Sequence, residues 1–173
     1  MNATARNRLD ILTNTLVIIV TLLVAAQFFG PRFFGDRALK KGDRLPTLVG
    51  YDWTRTPTLA FVLRQGCHFC EASMPFYRHL VSLRDAGRLN AQFIALFPDE
   101  GNVGANILKS QNVSMPVFSN IKMRTFKVQG TPTLILADKS GRVSSTWVGE
   151  LSSTDEENLI QTVQKEQDDS YLH

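Results

Sequence analysis

Residues 58–70 read Thr58-Leu-Ala-Phe-Val-Leu-Arg-Gln-Gly-Cys-His-Phe-Cys70. The run from Thr58 to Leu63 is apolar without interruption after its first residue, the pattern of a strand buried on both faces of a sheet. Arg64-Gln65-Gly66 breaks it. Two cysteines three positions apart follow, and then Phe69, Phe76, Leu80 and Leu83 recur at spacings of seven, four and three, one face of a 3.6-residue period. Gly87 is the natural stop of that helix. Cys67 therefore falls at a helix start, where unpaired backbone N–H groups and the positive end of the dipole favour a thiolate. Cys70 lies about one turn further along the same face, within disulfide reach. The pair reads as an exposed nucleophile, Cys67, and a shielded resolving thiol, Cys70. A protonated His68 would lower the Cys67 pKa further and shift the pair towards the oxidising end. A His68 that is merely a solvated loop residue would tune nothing.

Other uses of two cysteines fit less well. A zinc knuckle needs two more ligands at suitable spacing, and neither His79 nor His173 supplies such a pair. A structural disulfide across four residues closes too small a loop to stabilise much. No metal and no cofactor are expected.

The chain around this motif has 173 residues, room for one ordinary domain with some length to spare. Apolar residues make up 43% and charged residues 20%, a globular balance that excludes a disordered chain. The net charge of +3 is unevenly placed: residues 1–29 carry +1, residues 30–44 carry +3, and residues 45–173 carry −1. A nucleic-acid binder would concentrate positive charge on its folded domain, so no nucleic-acid partner is expected.

The basic charge instead brackets an oily segment. From Ile11 to Phe29 there are nineteen residues without a charge, about 28 Å as a helix and close to one hydrocarbon core. Gly30-Pro31 ends it. Arg6 and Arg8 with the small residues Val24-Ala25-Ala26 also fit a cleaved signal peptide, but bulky Gln27, Phe28 and Phe29 follow at once, without a clear cleavage site. The expected organisation is a tail at 1–10, an uncleaved transmembrane anchor at 11–29, a polar tether at 30–44 and a folded domain at 45–173. Two basic residues before the segment and five after it point the domain to the cytoplasm by the positive-inside count. A working dithiol–disulfide pair prefers an oxidising compartment. The expectation is a single-pass membrane protein whose domain faces the periplasm or cell exterior.

With these motifs together, the chain resembles thioredoxin-fold proteins. Pro75 falls five residues after Cys70, where thioredoxins carry the proline that kinks the active-site helix. Val128-Gln-Gly-Thr-Pro-Thr-Leu-Ile-Leu-Ala-Asp-Lys-Ser-Gly-Arg-Val143 is similar to the family's cis-proline strand and following hairpin. The resemblance implies that Thr131-Pro132 is a cis peptide facing the cysteines and that the backbone of Thr131 binds an extended substrate. Read without the family, Gly130-Thr-Pro is only a turn before a strand, and Asp138 to Gly141 is a hairpin turn either way.

Between the motifs, Ala91 to Phe97 reads as a strand, Gly101 to Asn112 as a helix, and Ser114 to Phe118 leads into a short piece ending at Val128. This extra unit, with the anchor, resembles membrane-anchored extracytoplasmic thioredoxins of the TlpA/ResA type, including those serving cytochrome c maturation. The resemblance covers about residues 43–167. It implies an α/β fold with a central mixed sheet flanked by helices and closed by a last helix near 153–167, with Leu159, Ile160 and Val163 inward. Trp53, Trp147 and Tyr77 are read first as core or surface packing residues, with a place at the border of the active-site face as the alternative.

Three positions depart from the family pattern. Gly66 stands where a tryptophan is usual, Phe61 where cytoplasmic thioredoxin has a buried acid, and Ser73 where some of the subfamily carry a functional glutamate. Glu71, the nearest carboxylate in sequence, reads as a helix N-terminal charge. The implied function is thiol–disulfide oxidoreduction on protein substrates through a Cys67–Cys70 redox disulfide, mostly reductive, with a thioredoxin or membrane reductase as redox partner. Two rivals belong to other classes. A peroxiredoxin-like peroxidase would want a threonine where Arg64 stands, three residues before Cys67. A non-catalytic assembly factor would use the same fold to hold a partner and would tolerate loss of both cysteines.

Overall fold

The computed structural model describes residues 14–21, 24 and 38–171, with side chains to residue 166. The expected tail at 1–10, most of the anchor at 11–29 and the tether up to residue 37 lie outside the described residues, as does His173. The chain divides into two compact units, residues 1–37 and 38–173. In the first, residues 14–21 and 24 are helical, and Leu16, Val17, Ile18, Ile19, Val20 and Val24 are exposed. Among the described residues no helix is long and apolar enough to cross a membrane.

The second unit is built on five strands: β1 (Thr58–Val62), β2 (Gln92–Leu96), β3 (Val117–Phe118), β4 (Thr133–Ala137) and β5 (Val143–Val148), in the order β3-β2-β1-β4-β5. β1 pairs in parallel with β2, and β2 with β3, while β4 is antiparallel to both β1 and β5. The sheet is therefore mixed. All five residues of β1 are buried, and so are all five of β4. Their apolar runs do not alternate because both faces of the sheet are covered.

The two faces are covered differently. Leu59 and Phe61 of β1, Phe93 of β2 and Leu134 of β4 share one core with four helices: α1 (His68–Ala72), α2 (Met74–Asp85), α3 (Val103–Ser110) and α4 (Ser153–Tyr171). The opposite face, with Ala60, Val62, Ile94 and Ile135, is closed by Leu45, Leu48 and Trp53 before β1 and by Ile121 and Phe126 between β3 and β4. The helices expected to flank the sheet thus gather on one face, and irregular chain seals the other. Trp53 belongs to that second core, its Nε1 donating to the Pro46 carbonyl at 3.0 Å.

The compact unit begins at Ala38, inside the segment read as a tether. Gly42 N–H donates to the Val143 carbonyl and Val143 N–H to the Asp43 carbonyl, so these residues pair with the start of β5. The expected helix at 101–112 is shorter, Val103–Ser110, and only Val117–Phe118 of the 114–118 segment forms a strand. The last helix starts at Ser153 as expected. Its first turn is capped by Ser152 and Asp155, whose side chains bond at 2.6 Å while Asp155 N–H reaches back to Ser152 Oγ. Leu159 and Val163 are fully buried, with Ile160 packed beside them.

α3 lies so close to β2 that its glycine is obligatory. A Cβ on Gly104 would fall 2.5 Å from Phe97 Cδ2 and 2.6 Å from Cγ, and Phe97 is itself fully buried. Gly104→Ala is expected to lower stability by about 1–3 kcal/mol through overpacking, seen as a reduced urea midpoint. An unchanged midpoint would show that the helix and sheet can separate freely here.

Candidate active site

β1 delivers the chain to the top edge of the sheet, and residues 64–66 turn it back towards the helix. Gly66 takes φ +67°, a left-handed conformation that L side chains rarely adopt. A glycine therefore stands where the family pattern has tryptophan for a backbone reason. Gln65 N–H donates to Asp99 Oδ2 at 3.0 Å, which ties the turn to the exit of β2. Cys67 then sits as the N-cap of α1 with extended backbone angles, and its Sγ accepts the Cys70 N–H at 3.2 Å.

Cys67 and Cys70 form a disulfide, with their Cα atoms 5.2 Å apart. Cys67 is 7% exposed and Cys70 2%. The expected order of exposure holds, but Cys67 is nearly buried rather than an open nucleophile, because the loop before β4 leans against it. Phe69 corrects another expectation. Its spacing places it on one face with Phe76, Leu80 and Leu83, yet it is 55% exposed. The spacing of seven spans two helices instead of one. Pro75 lacks an N–H, and its ring cannot tolerate the Glu71 carbonyl in a continuous helix. The chain accordingly breaks at Ser73, and the buried position of α1 goes to Cys70, with Cys67 at its N-cap.

The loop facing the disulfide comes from β4. Val62 of β1 is registered with Thr133 of β4 in antiparallel pairing, so the residues just after β1 and just before β4 meet at one edge. There Thr131-Pro132 is a cis peptide. Cys67 Sγ lies 3.3 Å from the Thr131 carbonyl oxygen, and Thr131 Oγ1 donates to it at 3.4 Å. The loop is held on both sides: Thr133 Oγ1 donates to the Gly130 carbonyl at 2.8 Å, and Gly149 N–H to the Pro132 carbonyl at 2.8 Å.

His68 is exposed beside Cys67, its ring 5.7 Å from that of Phe69. Glu71 is exposed. Behind Cys70, the core is almost free of charge. Thr58, Ser73 and Thr133 are the buried polar or charged residues among those described, and Phe61 is fully buried in edge contact with Tyr77. No cluster of three or more histidine, cysteine or acidic side chains suited to a metal occurs among the described residues. Chemically, the site is a dithiol–disulfide pair at the start of a helix, with a backbone edge presented across it.

The structure is similar to solved proteins of this chemistry. One, from Chlorobium tepidum and assigned as the thiol:disulfide interchange protein DsbE, matches at TM-score 0.63 and 22% identity, over 75% of this chain and 99% of that one. This is a thioredoxin fold. A thiol-disulfide isomerase from Corynebacterium glutamicum matches at TM-score 0.53 and 16% identity, over 75% of this chain and 97% of that one. StoA from Bacillus subtilis matches at 0.52 and 17%, over 73% and 98%. No family model matches the sequence, and no curated protein does.

Sequence reading placed the cysteines and Pro132 but missed Asp99. Its signal is faint: an acid two residues beyond Phe97, in the bend that follows a strand parallel to the one that leads to Cys67. Asp99→Ala is expected to release the 64–66 turn by about 1 kcal/mol, the worth of one exposed hydrogen bond. Hydrogen exchange at the Gln65 amide should then quicken roughly fivefold. Unchanged exchange would mean that the turn holds itself.

Proposed function

We propose that this protein is a thiol–disulfide oxidoreductase acting on protein substrates, held at the outer face of a membrane by residues 11–29. The observation that carries the reading is the Cys67–Cys70 disulfide at a helix start, with Cys67 Sγ against the Thr131-Pro132 loop. In the reductive direction, a Cys67 thiolate attacks one sulfur of a substrate disulfide. A mixed disulfide forms, and the other substrate sulfur leaves as a thiolate. Cys70, once deprotonated, attacks Cys67 Sγ, closing the intramolecular disulfide and expelling the second substrate thiolate. A thioredoxin or a membrane reductase then returns two electrons to the pair.

Cys67 is assigned as the nucleophile because it is the less buried of the two residues and its sulfur receives the Cys70 N–H, a donor that favours negative charge. Thr131 and Pro132 are assigned to substrate binding, since an extended segment laid along their backbone would bring its sulfur to Cys67. His68, one residue on and exposed, is assigned a tuning role beside the thiolate. The likeness to secreted thiol-disulfide oxidoreductases supports an extracytoplasmic domain, as does the oxidising compartment that a dithiol–disulfide pair prefers, against the positive-inside count of the basic residues around 11–29. Maturation of periplasmic redox proteins such as cytochrome c is the physiological setting we favour.

The reading is tested by reduction of insulin disulfides. Cys67→Ser should abolish turnover, and Cys70→Ser should accumulate mixed disulfides whose masses name the substrates. A Cys67→Ser protein as active as wild type would leave the rival description, a non-catalytic assembly factor.

A further inference from the structure

Tyr77 is the largest side chain in the core beneath the disulfide, 1% exposed, and its hydroxyl has no hydrogen-bond partner. An orphaned buried hydroxyl loses its hydration and gains nothing in return. The ring is well seated, edge-on to Phe61 at 5.1 Å and against Phe76 at 6.3 Å, so packing accounts for the ring and leaves the hydroxyl unexplained.

Its position along the helix is informative. Cys70, Ser73 and Tyr77 stand at i, i+3 and i+7, one face of the α1–α2 run, and all three are buried. Ser73 keeps near-helical angles at the break, φ −80° and ψ −6°, so the face continues through it. Helical side chains lean towards the N-terminus. Tyr77 is thus directed at the turn of Ser73, and Ser73 at the turn of Cys70. Ser73 Oγ donates to the Phe69 carbonyl at 2.8 Å, as that lean requires. Burial pushes the Tyr77 phenol well above its ordinary range, opposed by the Ser73 hydroxyl, which stands near it without meeting hydrogen-bond geometry, so the group remains a donor. As a disulfide sulfur, Cys70 Sγ is a weak, uncharged acceptor. Reduction gives a thiol whose deprotonated form carries a full negative charge and is a far stronger acceptor.

We propose that Tyr77 is a redox-linked positioning residue: its hydroxyl is unpaired while Cys67 and Cys70 are joined, and it becomes satisfied on reduction, when Ser73 Oγ turns from the Phe69 carbonyl to donate to the Cys70 sulfur and accepts the Tyr77 O–H. The chain Tyr77–Ser73–Cys70 stabilises the dithiol over the disulfide and makes the pair a stronger oxidant than its apolar surroundings alone would give. It also supplies Cys70 with polar neighbours in a core where the described residues place no carboxylate. No proton leaves the protein through this chain. The two electrons of the redox step come from the thiol couple used to poise the protein, and its hydrogens go to the two cysteine sulfurs.

The inference rests on the disulfide-exchange reading, but its test does not require a physiological substrate. The potential of Cys67–Cys70 is measured by equilibration with reduced and oxidised glutathione. Tyr77→Phe keeps the ring and removes the hydroxyl, and it should lower the reduced-to-oxidised ratio about tenfold, equivalent to about 30 mV more negative for a two-electron couple. The oxidised variant should be at least as resistant to urea as wild type, because the orphan is gone. Ser73→Ala breaks the same chain without touching the core ring and should shift the potential in the same direction, which keeps the idea testable should Tyr77→Phe fold poorly. A potential unchanged within twofold in a folded variant, or one shifted the other way, overturns the proposal. Wild-type protein that reduces no protein disulfide would end the functional reading while leaving this comparison intact.

Discussion

The antiparallel register between β1 and β4 is the constraint on which the site depends. Val62 opposite Thr133 brings the end of one strand beside the start of another, and with it Cys67 beside Thr131, sixty-four residues away in sequence. Side chains in a strand alternate between faces, so a slip of one residue would exchange the two cores. Leu59 and Phe61 would turn to the face now filled by Trp53 and Ile121, and Ala60 to the face filled by the helices. The large difference between those two fillings is what prevents the slip. Packing on both sides of the sheet therefore sets where Thr131-Pro132 meets the cysteines.

The helix that carries the cysteines is shaped by the same need. Pro75 and Ser73 divide what the hydrophobic period presents as one helix into a short α1 and a longer α2. Below the break, Phe76, Tyr77, Leu80, Val81 and Leu83 anchor α2 on the sheet. Above it, α1 is free to bury its cysteines and expose Phe69. A rigid lower half holds the upper half, and the upper half presents the sulfurs at the sheet edge. Gly66 and Asp99 complete this support from the other side, one by permitting the turn and one by tethering it.

The core beneath the disulfide is the most individual part of the molecule. Phe61 and Tyr77 occupy the space in edge-to-face contact, and the buried polar side chains among the described residues are hydroxyls. In a medium of low polarity, an unpaired polar group weighs on whichever redox state leaves it unpaired. Small changes in hydroxyl pairing then bear directly on the balance between disulfide and dithiol.

Much of this was legible in the amino-acid order because its signals are local. An unbroken apolar strand, a glycine turn, two cysteines three apart and a proline five residues later are all short-range features, and they specify a strand, a loop and a helix carrying a dithiol. The GTPT strand and its Asp138–Gly141 turn are equally local. What the sequence did not determine is what distant segments do to one another. The break at Ser73 hides inside a period that looks continuous, so Phe69 reads as core when it is surface. The unhelical lid over one face of the sheet, the grip of Asp99 on Gln65 and the unpaired hydroxyl of Tyr77 arise from groups far apart in sequence or from the way a face is filled. Only the assembled tertiary structure decides these, because burial and hydrogen-bond pairing belong to the whole packing arrangement and not to any one stretch of chain.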